Sequence, residues 1–143
     1  MTRAASITAD RRIAVTDYQP GSPGTDEVTV EVAYCGLCGS DLHLFFDTPD
    51  PAAGHVLGHE FSGTVTAVGA GVTDWSVGDR VVIRPIGECG QCRACTTEDG
   101  VCLIGLASGP GLGRVGGLAQ AVTVPAAMLH RVPESLSLRD AAL

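Results

Sequence analysis

The sequence predicts a mostly β fold, and three observations support this prediction. Nineteen glycines and eight prolines in 143 residues provide frequent turn positions. The apolar residues are rich in β-branched types, which favour strands over helices. Segment 27–34 alternates acidic or polar residues with apolar ones at a period of two, as a half-buried strand does. The length suits one domain with a sizeable core, and no second domain fits.

Further elements follow in order along the chain. Strand character recurs at 61–69, 81–83, 119–124 and 128–132. His59 therefore lies where a loop enters a strand, and Pro85 ends a strand just before an inserted cysteine-rich lobe. Ser137 has the position of a helix N-cap, so we expect a short helix to start there and the chain to end within its first turns.

The charge balance and the apolar pattern exclude two kinds of partner. Nine Lys and Arg against sixteen Asp and Glu give a net charge of -7, which disfavours nucleic acids and anionic membrane surfaces. No uninterrupted apolar stretch of about 18 residues occurs, and residues 1–6 lack the apolar region of a secretory signal. We therefore expect a cytoplasmic protein. In that reducing compartment six cysteines favour metal ligands over disulfides, the alternative being an oxidised, exported protein.

One group of residues offers unlike metal ligands. Segment 38–43 reads Cys-Gly-Ser-Asp-Leu-His, and His59 and Glu60 follow, with His59 sixteen residues after His43. The group combines a thiolate, an imidazole, a carboxylate and a hydroxyl. Catalytic zinc usually takes three protein ligands of mixed type and leaves a fourth position open for water or substrate. A catalytic zinc site can therefore be built from these residues.

A second group offers four like ligands within fourteen residues. Its members are Cys89, Cys92, Cys95 and Cys102. Four thiolates complete the tetrahedral coordination of zinc and leave no position for a substrate. Their pattern is therefore typical of a structural zinc site.

Four motifs, taken in order, resemble one protein family. They are 35–43 (CGLCGSDLH), 58–60 (GHE) with Gly63, 77–81 (VGDRV) and the cysteine lobe. Over essentially all of residues 1–143 the chain resembles the N-terminal, GroES-like catalytic domain of zinc-dependent medium-chain alcohol and polyol dehydrogenases. The resemblance implies a GroES-like, partly open β-barrel with short helices and an inserted four-cysteine zinc lobe. Segment 61–63 is most similar to the butanediol and sorbitol dehydrogenase branch.

The resemblance also implies metal ligands. Cys38 and His59 would bind the catalytic zinc, and Glu60 would be an adjacent carboxylate able to approach it. Asp41 would support the site, because a carboxylate can orient a ligating imidazole through its second nitrogen. The lobe cysteines match the structural zinc ligands. The last gap holds six residues where many members have seven, and this weakens the assignment of Cys102 most.

Ser40 and His43 match the proton relay of the family. Zinc lowers the pKa of an alcohol, so that a hydride can leave the carbon near neutral pH. A hydroxyl beside the alcohol, Ser40, can then pass the proton to the imidazole of His43. The hydride acceptor in the family is NAD or NADP on a following Rossmann domain, which residues 1–143 do not contain.

These implications define the expected function. We expect the catalytic, zinc-binding half of an NAD(P)-dependent dehydrogenase acting on a small secondary alcohol or diol. Alone it would be inactive and would hold its catalytic zinc weakly, because the family supplies a further ligand beyond Leu143. A separate Rossmann domain is an expected partner, and a homo-oligomer is an open alternative. The competing hypothesis is a zinc-binding or interaction module without turnover, from a truncated gene or an excised domain. A co-chaperonin would share the fold but would not need the ligands.

Three features admit other interpretations. Segment 111–116 satisfies the dinucleotide motif GxGxxG, with Glu134 at a suitable distance for a ribose contact. We expect a loop there instead, because the motif must open a helix. Cys35 and the cysteine three residues later have the spacing of a redox pair, but no βαβ pattern surrounds them, so Cys35 is predicted to be a buried thiol. His55 is interpreted as a loop histidine, and His130, within the predicted strand 128–132, likewise as a histidine without a ligand role.

Overall fold

Strands dominate the computed structural model, which describes residues 1–47, 53–97 and 99–143. The strands are β1 (Thr2–Ile7), β2 (Ile13–Tyr18), β3 (Glu27–Cys35), β4 (Phe61–Val68), β5 (Arg80–Ile83), β6 (Ala121–Pro125) and β7 (Leu129–Arg131). The helices are α1 (Gly39–Phe46), α2 (Arg93–Thr97), α3 (Leu103–Ala107) and α4 (Leu138–Ala141), with a 3-10 turn at Ala126–Met128. Within the described parts of the chain, no helix has the length and apolar character needed to cross a membrane.

Five strands form one antiparallel sheet in the order β6-β3-β4-β5-β7, and β1 pairs with β2 in a separate hairpin. The hairpin is joined to the rest of the chain by isolated bridges from Ala4 to Ala119 and from Ser6 to Val56. The two open sheets, the short helices and the cysteine lobe confirm the predicted fold class.

The five strands predicted from residue patterns are present as β3 to β7, with boundaries that differ by a few residues. The predicted helix start is also confirmed, since Ser137 Oγ accepts a hydrogen bond from Asp140 N–H at 3.1 Å. The sequence did not predict β1, β2 or α1. Residues such as Ala4 and Ser6 have weak intrinsic strand preference, so tertiary contacts hold β1, in which both are buried.

The two central strands, β3 and β4, carry the core. Val28, Val30 and Val65 are fully buried, and Phe61 at the start of β4 is 1% exposed. Burying one such side chain contributes roughly 1.5–3 kcal/mol relative to leaving it in water. These packed strands therefore fix the positions of the end of β3 and the start of β4.

Gly63 lets β4 approach β3 closely. It pairs with Val32, next to a register shift in the ladder. A Cβ added at Gly63 would lie 2.0 Å from the carbonyl oxygen of Glu31 and 2.8 Å from Cγ1 of Val30. A side chain at this position could not be placed without moving the backbone of β3.

We predict that Gly63→Ala lowers the free energy of unfolding by about 1–3 kcal/mol, because overpacking a filled site costs this much. Urea denaturation followed by circular dichroism measures the change. Gly21→Ala is the control, since nothing lies within 4 Å of a Cβ added there. Equal stabilities of the two variants would contradict the close β3–β4 packing.

Candidate metal centres

The ends of β3 and β4 bring three unlike metal-ligating groups together. Cys35 at the end of β3 pairs with Phe61 at the start of β4. Cys38 follows β3 and precedes α1, whereas His59 and Glu60 immediately precede β4. One ligand atom from each of these three residues lies within 4.8 Å of the others. The antiparallel pairing thus gathers ligands that are about twenty residues apart in sequence.

Asp41 holds both segments of this group in place. Its side chain is 1% exposed. Oδ2 accepts a hydrogen bond from Cys38 N–H at 2.9 Å, and Oδ1 accepts one from Gly58 N–H at 3.0 Å. Oδ1 also lies 3.4 Å from Nδ1 of His59, a buried atom without an aligned hydrogen bond among the described residues. The carboxylate therefore lies where it can orient the imidazole.

Because Asp41 lies beside Nδ1 of His59, Nε2 is the ring nitrogen that is available as a metal ligand. Ser40 Oγ lies 3.2 Å from this Nε2. Hydrogen bonds with Ser40, and then with His59, lower the pKa of the Cys38 thiol, which favours its thiolate form. A thiolate, an imidazole and a carboxylate in this arrangement fit a zinc ion with an open fourth position.

His43 lies one helical turn after Ser40 but is largely exposed to solvent. Its side chain is 73% exposed, and Nδ1 lies 2.6 Å from Oδ2 of Asp47. Within the described residues no hydrogen bond joins the Ser40 and His43 side chains directly. The sequence reasoning did not identify Asp47, although the four-residue spacing from His43 on a helix was a usable signal.

The four lobe cysteines form the second group. Their sulfur atoms lie within 4.8 Å of one another. The Sγ distances are 3.5 Å from Cys92 to Cys95 and 4.0 Å from Cys89 to Cys95. Sulfurs bound at about 2.3 Å to one tetrahedral ion are about 3.8 Å apart, so the group fits a single zinc ion. Cys102 belongs to it despite the six-residue gap.

Backbone N–H groups favour thiolates in the lobe. The N–H groups of Gln91 and Cys92 lower the pKa of Cys89 to about 6. The N–H of Gly105 lies 3.2 Å from Cys102 Sγ and lowers the pKa of that thiol. Cys92 differs, because its pKa, although lowered by the backbone N–H of Cys95, is raised overall to about 11 by the hydrogen bond with the Cys95 thiol and by burial. The backbone donors thus favour the metal-binding thiolate form at Cys89 and Cys102.

Cys35 lies outside both ligand groups of the described residues. Burial, together with the charges of Asp41 and Glu60, raises the pKa of its thiol to about 12. Its Sγ donates to the carbonyl oxygen of Gly36 at 3.4 Å. A thiol that stays protonated near neutral pH is a poor nucleophile, which disfavours the redox-pair interpretation.

The end of α4 lies beside the group of Cys38, His59 and Glu60, which we call the mixed-ligand group. A Cβ added at Gly36 would lie 3.0 Å from the carbonyl oxygen of Ala142 and 3.5 Å from Oε2 of Glu60. The fully buried Ser62 hydroxyl donates to the carbonyl oxygen of Leu138 and so fixes α4 on β4. No local pattern predicts this contact, because Ser62 and Leu138 are 76 residues apart in the sequence.

The glycine motif at 111–116 opens no helix. Residues 109–117 form turns and an isolated bridge, and the next regular element is β6. The predicted loop is therefore confirmed, and the dinucleotide interpretation is disfavoured because the motif is not followed by a helix.

His55 contacts the carbonyl oxygen of Gly111 at 2.9 Å through Nε2. His130 is exposed and lies within β7, in agreement with the strand predicted at 128–132, and it belongs to neither ligand group of the described residues.

The chain is similar to several characterised dehydrogenases. It is 37% identical over 131 residues to sorbitol dehydrogenase from Halalkalibacterium halodurans, covering 91% of this chain and 38% of the relative. It is 36% identical over 147 residues to (R,R)-butanediol dehydrogenase from Bacillus subtilis, covering 94% and 40%. The chain thus spans about two fifths of the length of these relatives.

Solved structures show the same similarity. A crystal structure of an NAD-dependent alcohol dehydrogenase superimposes with a TM-score of 0.87 at 35% identity, covering 98% of this chain and 42% of that one. The cobalt- and zinc-bound alcohol dehydrogenase from Pyrobaculum aerophilum gives 0.86 at 30% identity, covering 99% and 44%. A zinc-binding dehydrogenase from Sinorhizobium meliloti bound to NADP gives 0.81 at 30% identity, covering 99% and 41%.

The family model of the alcohol dehydrogenase GroES-like domain matches residues 24–134. This range contains β3 to β7 and both ligand groups. Fold, ligand arrangement and sequence similarity therefore agree, and we conclude that the chain belongs to the alcohol dehydrogenase GroES-like domain family.

Proposed function

We propose that residues 1–143 are the zinc-binding catalytic portion of an NAD(P)-dependent dehydrogenase that oxidises a small secondary alcohol or diol. The observation that carries this proposal is the group of Cys38, His59 and Glu60, whose ligand atoms lie within 4.8 Å of one another. The buried carboxylate of Asp41 holds this group together. Family membership and the names of the dehydrogenase relatives support the same function.

The two ligand groups receive different roles in this proposal. Cys38, His59 and Glu60 would hold the catalytic zinc, which when bound lowers the pKa of an alcohol. The four lobe cysteines would hold the structural zinc, which contributes directly to folding. The mixed group is already assembled and hydrogen-bonded within this chain, so we expect it to bind zinc here. This differs from the weak binding expected from the sequence.

Residues on α1 would carry the substrate proton away. Ser40 Oγ lies beside the ligand group, 3.2 Å from His59 Nε2, and can accept a proton from a substrate hydroxyl. His43 is exposed on the same helix and can release the proton to water, with Nδ1 2.6 Å from Oδ2 of Asp47. Because Ser40 and His43 do not touch directly, a water or a substrate hydroxyl would complete the path.

The hydride acceptor would come from outside these 143 residues. The chain spans about two fifths of the length of its relatives, and one similar structure is bound to NADP. We propose that a Rossmann cofactor domain supplies NAD or NADP to the open face of the mixed-ligand group. The relatives that act on sorbitol and butanediol suggest a polyol or vicinal diol as substrate.

Mixing this chain with the cofactor-binding portion of the Bacillus subtilis butanediol dehydrogenase tests the proposed function. We expect NADH formation from butanediol, sorbitol or a simple secondary alcohol, measured by absorbance, at a rate that neither part gives alone. His43→Gln should lower this rate about 10²-fold, as the loss of an acid–base group typically does. His130→Gln, another exposed histidine, should not change it.

Two outcomes of this experiment would contradict the proposal. A metal-loaded mixture without activity on any of the three substrate types would favour a zinc-binding or interaction module without turnover. Equal rates of the His43→Gln and His130→Gln variants would show that His43 does not carry the proton.

We predict that Asp41→Asn weakens zinc binding by about 10–100-fold, as the loss of a ligand-orienting partner commonly does. The variant should also lose about 1–3 kcal/mol of unfolding free energy, because the amide nitrogen cannot accept from a backbone N–H. Competition with a zinc chelator and urea denaturation measure the two effects. Asp47→Asn, a change of an exposed carboxylate just beyond α1, should leave both values unchanged. Identical behaviour of the two variants would contradict the role of Asp41.

A further inference from the structure

The glycine-rich loop at 109–117 packs its backbone directly on the segment that leads into His59. A Cβ added at Gly111 would lie 2.8 Å from both the carbonyl carbon and the oxygen of Gly58. A Cβ added at Gly116 would lie 2.2 Å from the carbonyl oxygen of Leu57 and 2.5 Å from that of Gly58. Contacts this short exclude any side chain at Gly111 and Gly116 unless the backbone of 57–58 moves.

Hydrogen bonds lock the two segments in register. Gly116 N–H donates to the Val56 carbonyl at 3.0 Å, and Gly117 N–H donates to the Gly58 carbonyl at 2.7 Å. Leu118 N–H donates to the Leu57 carbonyl at 3.0 Å. The loop and the residue that follows it, Leu118, therefore bind every backbone carbonyl from residue 56 to residue 58.

The side chain of His55 adds a hydrogen bond between the same two segments. Its Nε2 lies 2.9 Å from the carbonyl oxygen of Gly111, which requires the tautomer that donates from Nε2. Gly111 has a positive φ of 71°, so this carbonyl is directed by a backbone conformation that favours glycine. His55 thus holds the loop to the segment that it covers.

Gly58 is also held by Asp41 and enclosed by Cys35. Its N–H donates to Oδ1 of Asp41 at 3.0 Å. Its φ is 95°, and an added Cβ would lie 2.6 Å from Sγ of Cys35. Gly58 is therefore enclosed between Asp41, Cys35 and the glycine-rich loop. The next residue, His59, is 6% exposed and has little room to change its orientation.

We propose that the glycine-rich loop at 109–117 is a positioning element for His59, with Gly111 and His55 as its positioning residues. The loop packs on Gly58, the residue whose N–H donates to Asp41, and the two contacts together set where the imidazole points. The GxGxxG spacing thus serves backbone packing against a metal ligand. This inference rests on the ligand role proposed for His59.

Cobalt binding tests the inference without requiring turnover. The lobe is first filled with one equivalent of zinc, and Co²⁺ is then titrated while thiolate-to-cobalt absorption is recorded. Cys38→Ser provides the blank spectrum. We expect Gly111→Ala to weaken cobalt binding at the mixed-ligand group by about 10–100-fold, the usual effect of disturbing the support of a ligand.

Gly78→Ala is the matched control. Gly78 also has a positive φ, 97°, so alanine meets the same kind of backbone cost, but nothing lies within 4 Å of the added Cβ. Its cobalt affinity should equal that of the parent. Cobalt affinity of Gly111→Ala equal to that of Gly78→Ala would overturn the inference while leaving the proposed metal site intact. A parent that gives no thiolate-to-cobalt absorption would overturn the metal site, and this inference with it.

A milder pair of variants covers the case in which Gly111→Ala does not fold. His55→Leu removes the tie to the Gly111 carbonyl, and His55→Gln keeps an N–H donor that can reach it. We expect His55→Leu to weaken cobalt binding several-fold and His55→Gln to restore it toward the parent value. Parent-like cobalt binding by His55→Leu would overturn the inference on its own.

Discussion

The site depends on the hydrogen bonds that the buried carboxylate of Asp41 accepts from two separate backbone segments. A charged group that is 1% exposed is costly unless hydrogen bonds compensate it, and Asp41 accepts them from the backbone N–H groups of Cys38 and Gly58. Those donors belong to two segments that lead to different metal ligands. The same carboxylate also lies beside the ring of His59. One side chain thus couples the start of α1 to the entrance of β4.

Close backbone contacts make this arrangement rigid. Gly63 allows β4 to approach β3, and Gly111 and Gly116 allow the glycine-rich loop to lie on Gly58. In each contact, backbone atoms of the neighbouring segment occupy the space that a Cβ on the glycine would need. The contacting segments therefore have few alternative positions. The mixed-ligand group is therefore supported by the β3–β4 core, by Asp41 and by the glycine-rich loop. Metal ligands with locked surroundings lose little entropy on binding an ion.

Local patterns predicted part of this molecule, whereas tertiary contacts decided the rest. Alternating polarity located β3, runs of strand-forming residues located β4 to β7, and cysteine spacing located the lobe, because these signals lie within a few residues. β1 was missed because small residues such as Ala4 and Ser6 have weak strand preference and gain stability by pairing. β2 was also missed, although its Ile13, Val15 and Tyr18 are residue types that favour strands. The links between Asp41 and Gly58 and between Gly111 and Gly58 join distant segments and leave no local pattern. The GxGxxG motif shows that a local pattern can also mislead. Its spacing is typical of phosphate binding, but here its glycines allow close backbone packing.

Zinc stoichiometry tests the account most directly. Native mass spectrometry of the chain, purified without chelator or added metal, reports the number of bound ions and the oligomeric state. We predict two zinc ions per chain, one of them lost in Cys38→Ser and the other in Cys89→Ser. A chain with no zinc, or with a single ion that persists in Cys38→Ser, would contradict the claim that Asp41 organises a metal site within these 143 residues.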